Sequence, residues 1–166
     1  LDAIKILQQR FSNPLQFIIA GDGSQLENIK AYIKKHDIKN VIFHGHVEGI
    51  LKHKVFSDSS IYLFPTYYSE GLPITILEAM LYGHVVITRP VGGIPDIVED
   101  KVNGILIRSK DPQDFADAVE SFLVDQEILL CVSANNMEKA RALFVRNKVN
   151  ERLINIYNEI NQDKYL

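Results

Sequence analysis

Short apolar runs and helical segments alternate along this chain, and few folds accommodate such an order. Each apolar run is three to six residues long and ends near Gly, Pro or a polar turn. The runs are 15–20, 41–43, 61–64, 85–88 and 104–107. Helical spacing of apolar residues predicts helices at the start of the chain and over 24–36, 50–57, 73–82, a short stretch to 98, 112 onward, 126–142 and 146–161. Short apolar strands separated by helices predict a parallel sheet that is covered by helices on both faces.

Two helix starts carry recognisable capping signals. Ser24 is followed three residues later by Glu27, a pairing that predicts a capping box and a helix from Ser24 to about His36. Asp111 followed by Pro112 predicts an N-cap with proline in the first helical position. The chain opens inside a helix and without Met, so we expect it to be a cut piece of a longer protein.

Composition excludes several classes of protein. The 166 residues fit one domain, with no internal repeat or linker. Eighteen basic and 21 acidic residues give a net charge of −3, which argues against a nucleic-acid surface. Cys131 is the single cysteine, so an internal disulfide and a cysteine-rich zinc site are both excluded. No apolar run approaches the roughly 18 residues of a membrane span, and no signal segment opens the chain. We therefore expect a soluble, cytoplasmic domain.

The segment 70–78, Glu-Gly-Leu-Pro-Ile-Thr-Ile-Leu-Glu, lies where a predicted strand ends and a helix begins. The start of a helix has free backbone N–H groups and a partial positive charge, both of which favour phosphate. Because proline has no N–H, the donors that we expect are those of Leu72, Ile74 and Thr75. Gly71 allows close approach of a ligand to the backbone. The segment therefore predicts an anion site.

Two carboxylates bracket that anion site. Glu70 precedes it in the loop, and Glu78 lies about one turn inside the helix. Carboxylates beside phosphate would repel it, so we expect both to accept hydrogen bonds from hydroxyl groups. A sugar, a diphosphate and a ribose in line present hydroxyls at both ends and negative charge between them. The arrangement predicts a site for a nucleotide sugar.

Several segments, in order along the chain, resemble the large family of retaining glycosyltransferases called family 4 or group 1. They are FIIAGDGSQ, VIFHGHV, IYLFPTYYSEGLPITILEAM with its E-x7-E motif, and VVITRPVGGIPDIVEDKVNGILI. The resemblance covers nearly the whole chain. It implies the GT-B arrangement, in which two Rossmann-like domains face each other across a cleft. Residues 1–166 resemble the second, donor-binding domain, a Rossmann-like parallel sheet with C-terminal helices.

The resemblance also implies roles for individual residues. Glu70 would contact the hydroxyls of the donor sugar and act as the catalytic residue, and the backbone of Gly71 and Leu72 would contact the sugar ring. The diphosphate would meet Leu72, Ile74 and Thr75. Glu78 would bind the ribose hydroxyls, and the backbone of Val47 would contact the base. Members of the family transfer sugar with retained configuration, and GT-B enzymes generally need no metal ion or other cofactor.

The chain departs from the family pattern in two respects. The Arg and Lys that neutralise the diphosphate, and the acceptor-binding domain, fall before its first residue. We therefore expect the partners of the whole protein to be a nucleotide-sugar donor, the missing N-terminal domain and a glycan or lipid-linked acceptor, as in polysaccharide assembly. Membrane contact would not involve this domain. The fragment alone would be inactive. A non-catalytic nucleotide- or sugar-binding module and a GT-B sugar-nucleotide epimerase remain alternatives.

Other polar residues admit simpler interpretations. His44 and His46 would share a strand face, but no carboxylate or cysteine cluster accompanies them, so we predict no metal site. Arg89 fits either a cation near the diphosphate or a solvated loop residue, and we favour the latter. The glycines at 92 and 93 allow either a close approach to the donor or a tight turn.

Overall fold

Helices and strands alternate along the chain as the sequence predicts. The computed structural model describes residues 1–68 and 71–162. The strands are β1 (Phe17–Ala20), β2 (Val41–Gly45), β3 (Ile61–Phe64), β4 (Val85–Thr88) and β5 (Gly104–Leu106). The helices are α1 (Asp2–Arg10), α2 (Leu26–Lys35), α3 (Gly49–Ser57), α4 (Ile74–Leu81), α5 (Pro112–Val124), α6 (Gln126–Leu143) and α7 (Arg146–Gln162), with a 3₁₀ turn at Ile94–Asp96.

The strands pair in parallel, as predicted, but in two separate ladders. β1 pairs with β2, and β4 lies between β3 and β5. Among the described residues no strand-to-strand hydrogen bond joins β1 to β3. The apolar pattern indicates which segments become strands, and it contains no information on which neighbours share hydrogen bonds. The predicted parallel sheet is therefore present as two parts.

Helices cover both faces of the larger ladder. Val85 and Ile87 of β4 are fully buried and pack in one core cluster, to which α1, α5 and the start of α6 contribute. Val86 points the other way and packs with Ile76 and Met80 of α4. Successive side chains of a strand point to opposite faces, so a strand that is buried at every position needs a core on each side. The predicted α/β fold, with helices on both faces, is confirmed.

The start of α2 differs from the prediction. Helix α2 begins at Leu26, its N-cap is Gln25, and no side chain caps it, so the predicted capping box of Ser24 and Glu27 is wrong. The backbone is still turning at Gly23, whose φ of 142° suits glycine, and the N–H of Leu26 donates to the Gly23 carbonyl. The glycine turn delays the helix beyond the serine.

The start of α5 agrees with the prediction. The Asp111 side chain accepts a hydrogen bond from the N–H of Gln113 at 2.9 Å, and Pro112 is the first helical residue. The C-terminal helices α6 and α7 are also confirmed. None of the helices within the described residues is both long and apolar enough to span a membrane.

Two buried polar side chains join the start of β4 to the neighbouring helices α3 and α6. The ring Nε2 of His84, just before β4, lies 2.7 Å from the Phe56 carbonyl oxygen. Asn136 of α6 is completely buried and donates to the carbonyl oxygens of His84 and Asn103, each at 2.8 Å. Buried polar groups are costly without partners, so these bonds fix α3 and α6 beside the start of β4.

Candidate functional site

The predicted site lies beyond the carboxyl ends of β3, β4 and β5. Because these strands are parallel, the loops that follow them emerge at one edge. The hydroxyl of Thr88, the last residue of β4, donates to the Phe64 carbonyl oxygen at 2.8 Å and ties two of the strand ends together. The loops after β3 and β4 therefore start side by side.

Helix α4 presents its start at this edge. Pro73 is the N-cap, and Ile74 and Thr75 are the first two helical residues. The N–H groups at the start of a helix have no acceptor within it, and among the described residues the first one with an acceptor is that of Ile76, which donates to the Pro73 carbonyl. Ile74 is 71% exposed, so solvent reaches this end of the helix. The structure thus places the predicted anion donors on an open helix start.

The side chain of Thr75 lies close to that of Tyr62 on β3. Burial raises the pKa of Tyr62 above its ordinary value, and the neighbouring Thr75 side chain opposes that rise. Tyr62 therefore stays neutral near pH 7.

The loop before α4 is held by the glycine turn after β4. The N–H of Gly93 donates to the Gly71 carbonyl oxygen at 2.7 Å, and a Cβ on Gly93 would lie 2.9 Å from that oxygen. Gly92 has a φ of 53°, in the left-handed region that favours glycine. This pair therefore forms a tight turn that reaches the predicted sugar-binding loop. Among the described residues, and apart from its chain neighbours, no atom lies within 4 Å of a Cβ position on Gly71, so the described part of the chain leaves the space above it open.

Glu78 lies one turn inside α4 and has a cationic partner. Lys52 of α3 donates to Glu78 Oε1 at 2.6 Å, and the side chains of Lys52 and Glu78 are 38% and 27% exposed. The bond to Glu78 raises the pKa of Lys52 above its ordinary value, so the lysine is charged. Sequence reasoning missed Lys52, since these two residues lie 26 positions apart and no spacing rule relates them.

Val47 lies in the loop after β2, five residues before Lys52. It is flanked by His46 and Glu48, and His46 Nε2 lies 2.9 Å from Glu48 Oε1. Their mutual hydrogen bond raises the pKa of His46 and lowers that of Glu48. The predicted base loop thus carries a hydrogen-bonded histidine–glutamate pair of its own.

The predicted residues are distributed over two neighbouring segments. Gly71, Leu72, Ile74, Thr75 and Glu78 lie together on one continuous stretch of loop and helix, and Val47 lies on the loop that leads into α3. Glu70, the predicted catalytic residue, lies outside the described residues. Its role stays a prediction.

Arg89 is not the solvated loop cation that we favoured. It is 8% exposed, and its guanidinium donates to the carbonyl oxygens of Arg108, at 2.7 Å, and Ser109. The ring of Tyr67 lies over the guanidinium, with 4.3 Å between the charge centre and the ring centroid. Because its donors are directed at the loop after β5, Arg89 joins the loops that follow β3, β4 and β5.

Two surface depressions lie elsewhere. One of about 490 Å³ is lined by α6, and one of about 280 Å³ is lined by α1 and the start of α5. None of the predicted site residues that the structure describes lines either of them. Within residues 1–68 and 71–162, no cluster of three or more His, Cys, Asp or Glu side chains is arranged to hold a metal ion.

Parallel strands, helices on both faces and an exposed helix start at the carboxyl edge define a Rossmann-like α/β domain. The chain belongs to the glycosyl transferases group 1 family, whose model matches residues 1–142. The group 1 part of the resemblance seen in the sequence is thereby confirmed.

Curated relatives support this assignment. An uncharacterized glycosyltransferase of Methanocaldococcus jannaschii is 26% identical over 143 residues, which are 86% of this chain and 36% of the relative. The D-inositol 3-phosphate glycosyltransferase of Geodermatophilus obscurus is 31% identical over 105 residues, 63% of this chain and 23% of that protein. The chain thus spans about a third or less of these relatives.

Solved structures share the fold. The Anabaena protein HepE in complex with UDP-glucose aligns with a TM-score of 0.81 at 20% identity, over 95% of this chain and 44% of that one. Sucrose-phosphate synthase from Thermosynechococcus elongatus aligns with a TM-score of 0.78 at 21% identity, over 97% of this chain and 42% of that one. Both similarities concern the fold.

Proposed function

We propose that this chain is the donor-binding domain of a retaining GT-B glycosyltransferase. The whole protein would move a sugar from a nucleoside diphosphate sugar to a hydroxyl acceptor. The observation that carries the proposal is the position of Glu78, one turn inside α4 from the open amides of Ile74 and Thr75. An anion site with a hydroxyl acceptor one turn away suits a diphosphate joined to a ribose. Membership of the group 1 family and the UDP-glucose held by HepE support it.

The diphosphate is the leaving group of the reaction. Leu72, Ile74 and Thr75, at the start of α4, bind the diphosphate oxygens, the first two through their backbone N–H groups. As the bond to the sugar breaks, negative charge grows on the diphosphate, and fixed N–H dipoles stabilise this charge without having to reorganise. The helix start thus lowers the barrier by stabilising the leaving group.

The other groups of the donor have separate partners. Glu70 accepts hydrogen bonds from the sugar hydroxyls and is the catalytic residue, and the backbone of Gly71 and Leu72 meets the ring. Glu78 binds the ribose hydroxyls, and the backbone of Val47 meets the base. The bond from Gly93 to Gly71 supports this assignment, because it fixes the loop on which the sugar would lie.

Residues 1–166 are proposed as one nucleotide-sugar-binding domain, which acts with an acceptor-binding domain elsewhere in the protein. The acceptor is a glycan or a lipid-linked sugar, and the protein works in the cytoplasm, where it contacts the inner membrane face through its other domain. Transfer needs no metal ion, so chelation of divalent metals with EDTA leaves it unchanged.

Calorimetric titration of the full protein with UDP, GDP and ADP tests the donor site. We expect at least one diphosphate to bind, and Glu78→Gln to weaken it about 10- to 100-fold through loss of a charged acceptor. Glu151→Gln is the matched control, because Glu151 is also paired with a lysine, at 2.8 Å, but lies on α7. Binding of none of the three diphosphates would contradict the proposal.

Activity assays separate transfer from the alternatives. Glu70→Ala should abolish sugar transfer while the thermal unfolding midpoint stays unchanged. Diphosphate binding without transfer by the full protein would instead indicate a binding module. Interconversion of the donor sugar without an acceptor would indicate an epimerase.

A further inference from the structure

Lys52 and Glu78 form a bridge between two helices that leave different strands. Lys52 belongs to α3, which follows β2, and Glu78 belongs to α4, which follows β3. Their side chains meet at 2.6 Å, and both are partly shielded from solvent. The bridge therefore joins the helix that follows the Val47 loop to the helix that contains Glu78.

This ion pair differs from most others on the surface. Lys30 with Glu27 and Lys148 with Glu151 each lie three residues apart on one helix, and Lys54 of α3 pairs with Asp58, the residue that follows that helix. Such local pairs are typical of solvated helix faces and contribute little to stability. A lysine that reaches across to another helix instead restricts where the carboxylate of that helix can point.

The bridge leaves one carboxylate oxygen for a ligand. Lys52 donates to Oε1 of Glu78, and an ionised carboxylate has a second oxygen with its own lone pairs. A carboxylate held in one orientation loses less conformational freedom when it binds a hydroxyl. The ammonium charge also offsets the repulsion between Glu78 and a diphosphate one turn away.

We propose that Lys52 is a positioning residue for a ribose-containing nucleoside diphosphate. It orients Glu78 toward the vicinal hydroxyls of the ribose and compensates its charge. This inference rests on the proposed function, which assigns Glu78 to the ribose. It makes Lys52 a determinant of selectivity for ribose over a sugar that lacks those hydroxyls, although the lysine acts through the glutamate.

The test compares ligands as well as variants. Calorimetry on the full protein measures UDP, GDP and ADP, and then the 2′,3′-dideoxy form of the diphosphate that binds most tightly. Lys52→Met removes the charge and keeps the length of the side chain, whereas Lys52→Arg keeps the charge. Lys54→Met is the control, because Lys54 lies on the same helix and pairs with Asp58 at 3.4 Å.

We expect Lys52→Met to weaken binding of the ribose form about tenfold, and to weaken the dideoxy form, which feels only the lost charge compensation, by less than about threefold. Lys52→Arg should retain binding within about threefold, and Lys54→Met should match the wild type. In a Glu78→Gln background, Lys52→Met should have no further effect, because its partner is already neutral. A purely structural lysine would instead lower binding of both ligands alike, together with the thermal unfolding midpoint.

The outcomes distinguish this inference from the function on which it rests. Equal binding of the ribose form by Lys52→Met and wild type, with binding still lost in Glu78→Gln, overturns the role of Lys52 alone. Equal losses for both ligand forms also overturn it. Failure of the wild type to bind any of the three diphosphates overturns the proposed function as well.

Discussion

Replacement of Gly104 by alanine tests the close approach of β5 to β4. Gly104 pairs with Val86, and a Cβ added to it would lie 2.3 Å from the Val86 carbonyl oxygen and 2.8 Å from Val98 Cγ1. Contacts between non-bonded heavy atoms are most favourable near 3.5 Å, so β5 has to move by about 1 Å. The obstructing atom is backbone within a ladder and cannot rotate away.

The cost follows from the hydrogen bonds that this movement stretches. They are the ladder bonds around Val86 and Gly104 and the bond from Lys101 N–H to the Gly104 carbonyl at 2.8 Å. At about 1 kcal/mol for each of three bonds, the loss is about 3 kcal/mol. The smaller entropy of the unfolded alanine chain returns about 0.5 kcal/mol. The free energy of unfolding should therefore fall by about 2–3 kcal/mol.

Urea unfolding followed by far-ultraviolet circular dichroism measures this change. With a typical denaturant dependence of about 2 kcal/mol per molar, the midpoint should fall by about 1–1.5 M. Gly71→Ala is the matched control: the substitution is identical, but no non-neighbouring atom of the described residues lies within 4 Å of the new Cβ. The reasoning is refuted if Gly104→Ala unfolds at the wild-type urea concentration, or if the control loses as much stability.

Two further predictions concern the buried polar groups near β4. Burial lowers the pKa of His84 from its ordinary value of 6.5, so as the pH falls the unfolded chain binds the proton before the folded protein does. The free energy of unfolding should therefore be greatest above pH 6.5 and decrease as the pH drops below it. His84→Gln should reduce this pH dependence of the urea midpoint between about pH 7 and pH 5. Asn136→Ala leaves the carbonyls of His84 and Asn103 without their donor and should lower the free energy of unfolding by about 2–4 kcal/mol in the same assay. The control is Asn135→Ala, at the exposed neighbouring position, which should change the free energy of unfolding by less than about 0.5 kcal/mol.

The elements could be predicted where one local pattern determines them. The prediction of a helix start at Asp111 and Pro112 is correct because the cap, the proline and the capped N–H lie within three residues and need no distant partner. The signal at Ser24 failed because capping requires a backbone conformation that Gly23 alters. Short-range patterns thus predict a helix more reliably than the residue at which it begins.

The site could be predicted only in the part that is continuous in sequence. The stretch from Gly71 to Glu78 is a loop and a helix start, so its spacing alone places the donors and the carboxylate. Lys52 and Arg89 depend on partners about 20 residues or more away. A charged residue in a loop is usually solvated, and only the fold shows that the carbonyls of another loop surround Arg89.

The separation between β1 and β3 affects how rapidly the backbone exchanges its hydrogens. Strand β4 has a ladder partner on each side, whereas β1 and β3 each have one among the described residues. Along the edges of β1 and β3 that have no ladder partner, alternate amides are free of the ladder and open to deuterium from solvent. Deuterium uptake should therefore be slowest in β4 and faster at Ile18 and Leu63, whatever the burial of their side chains.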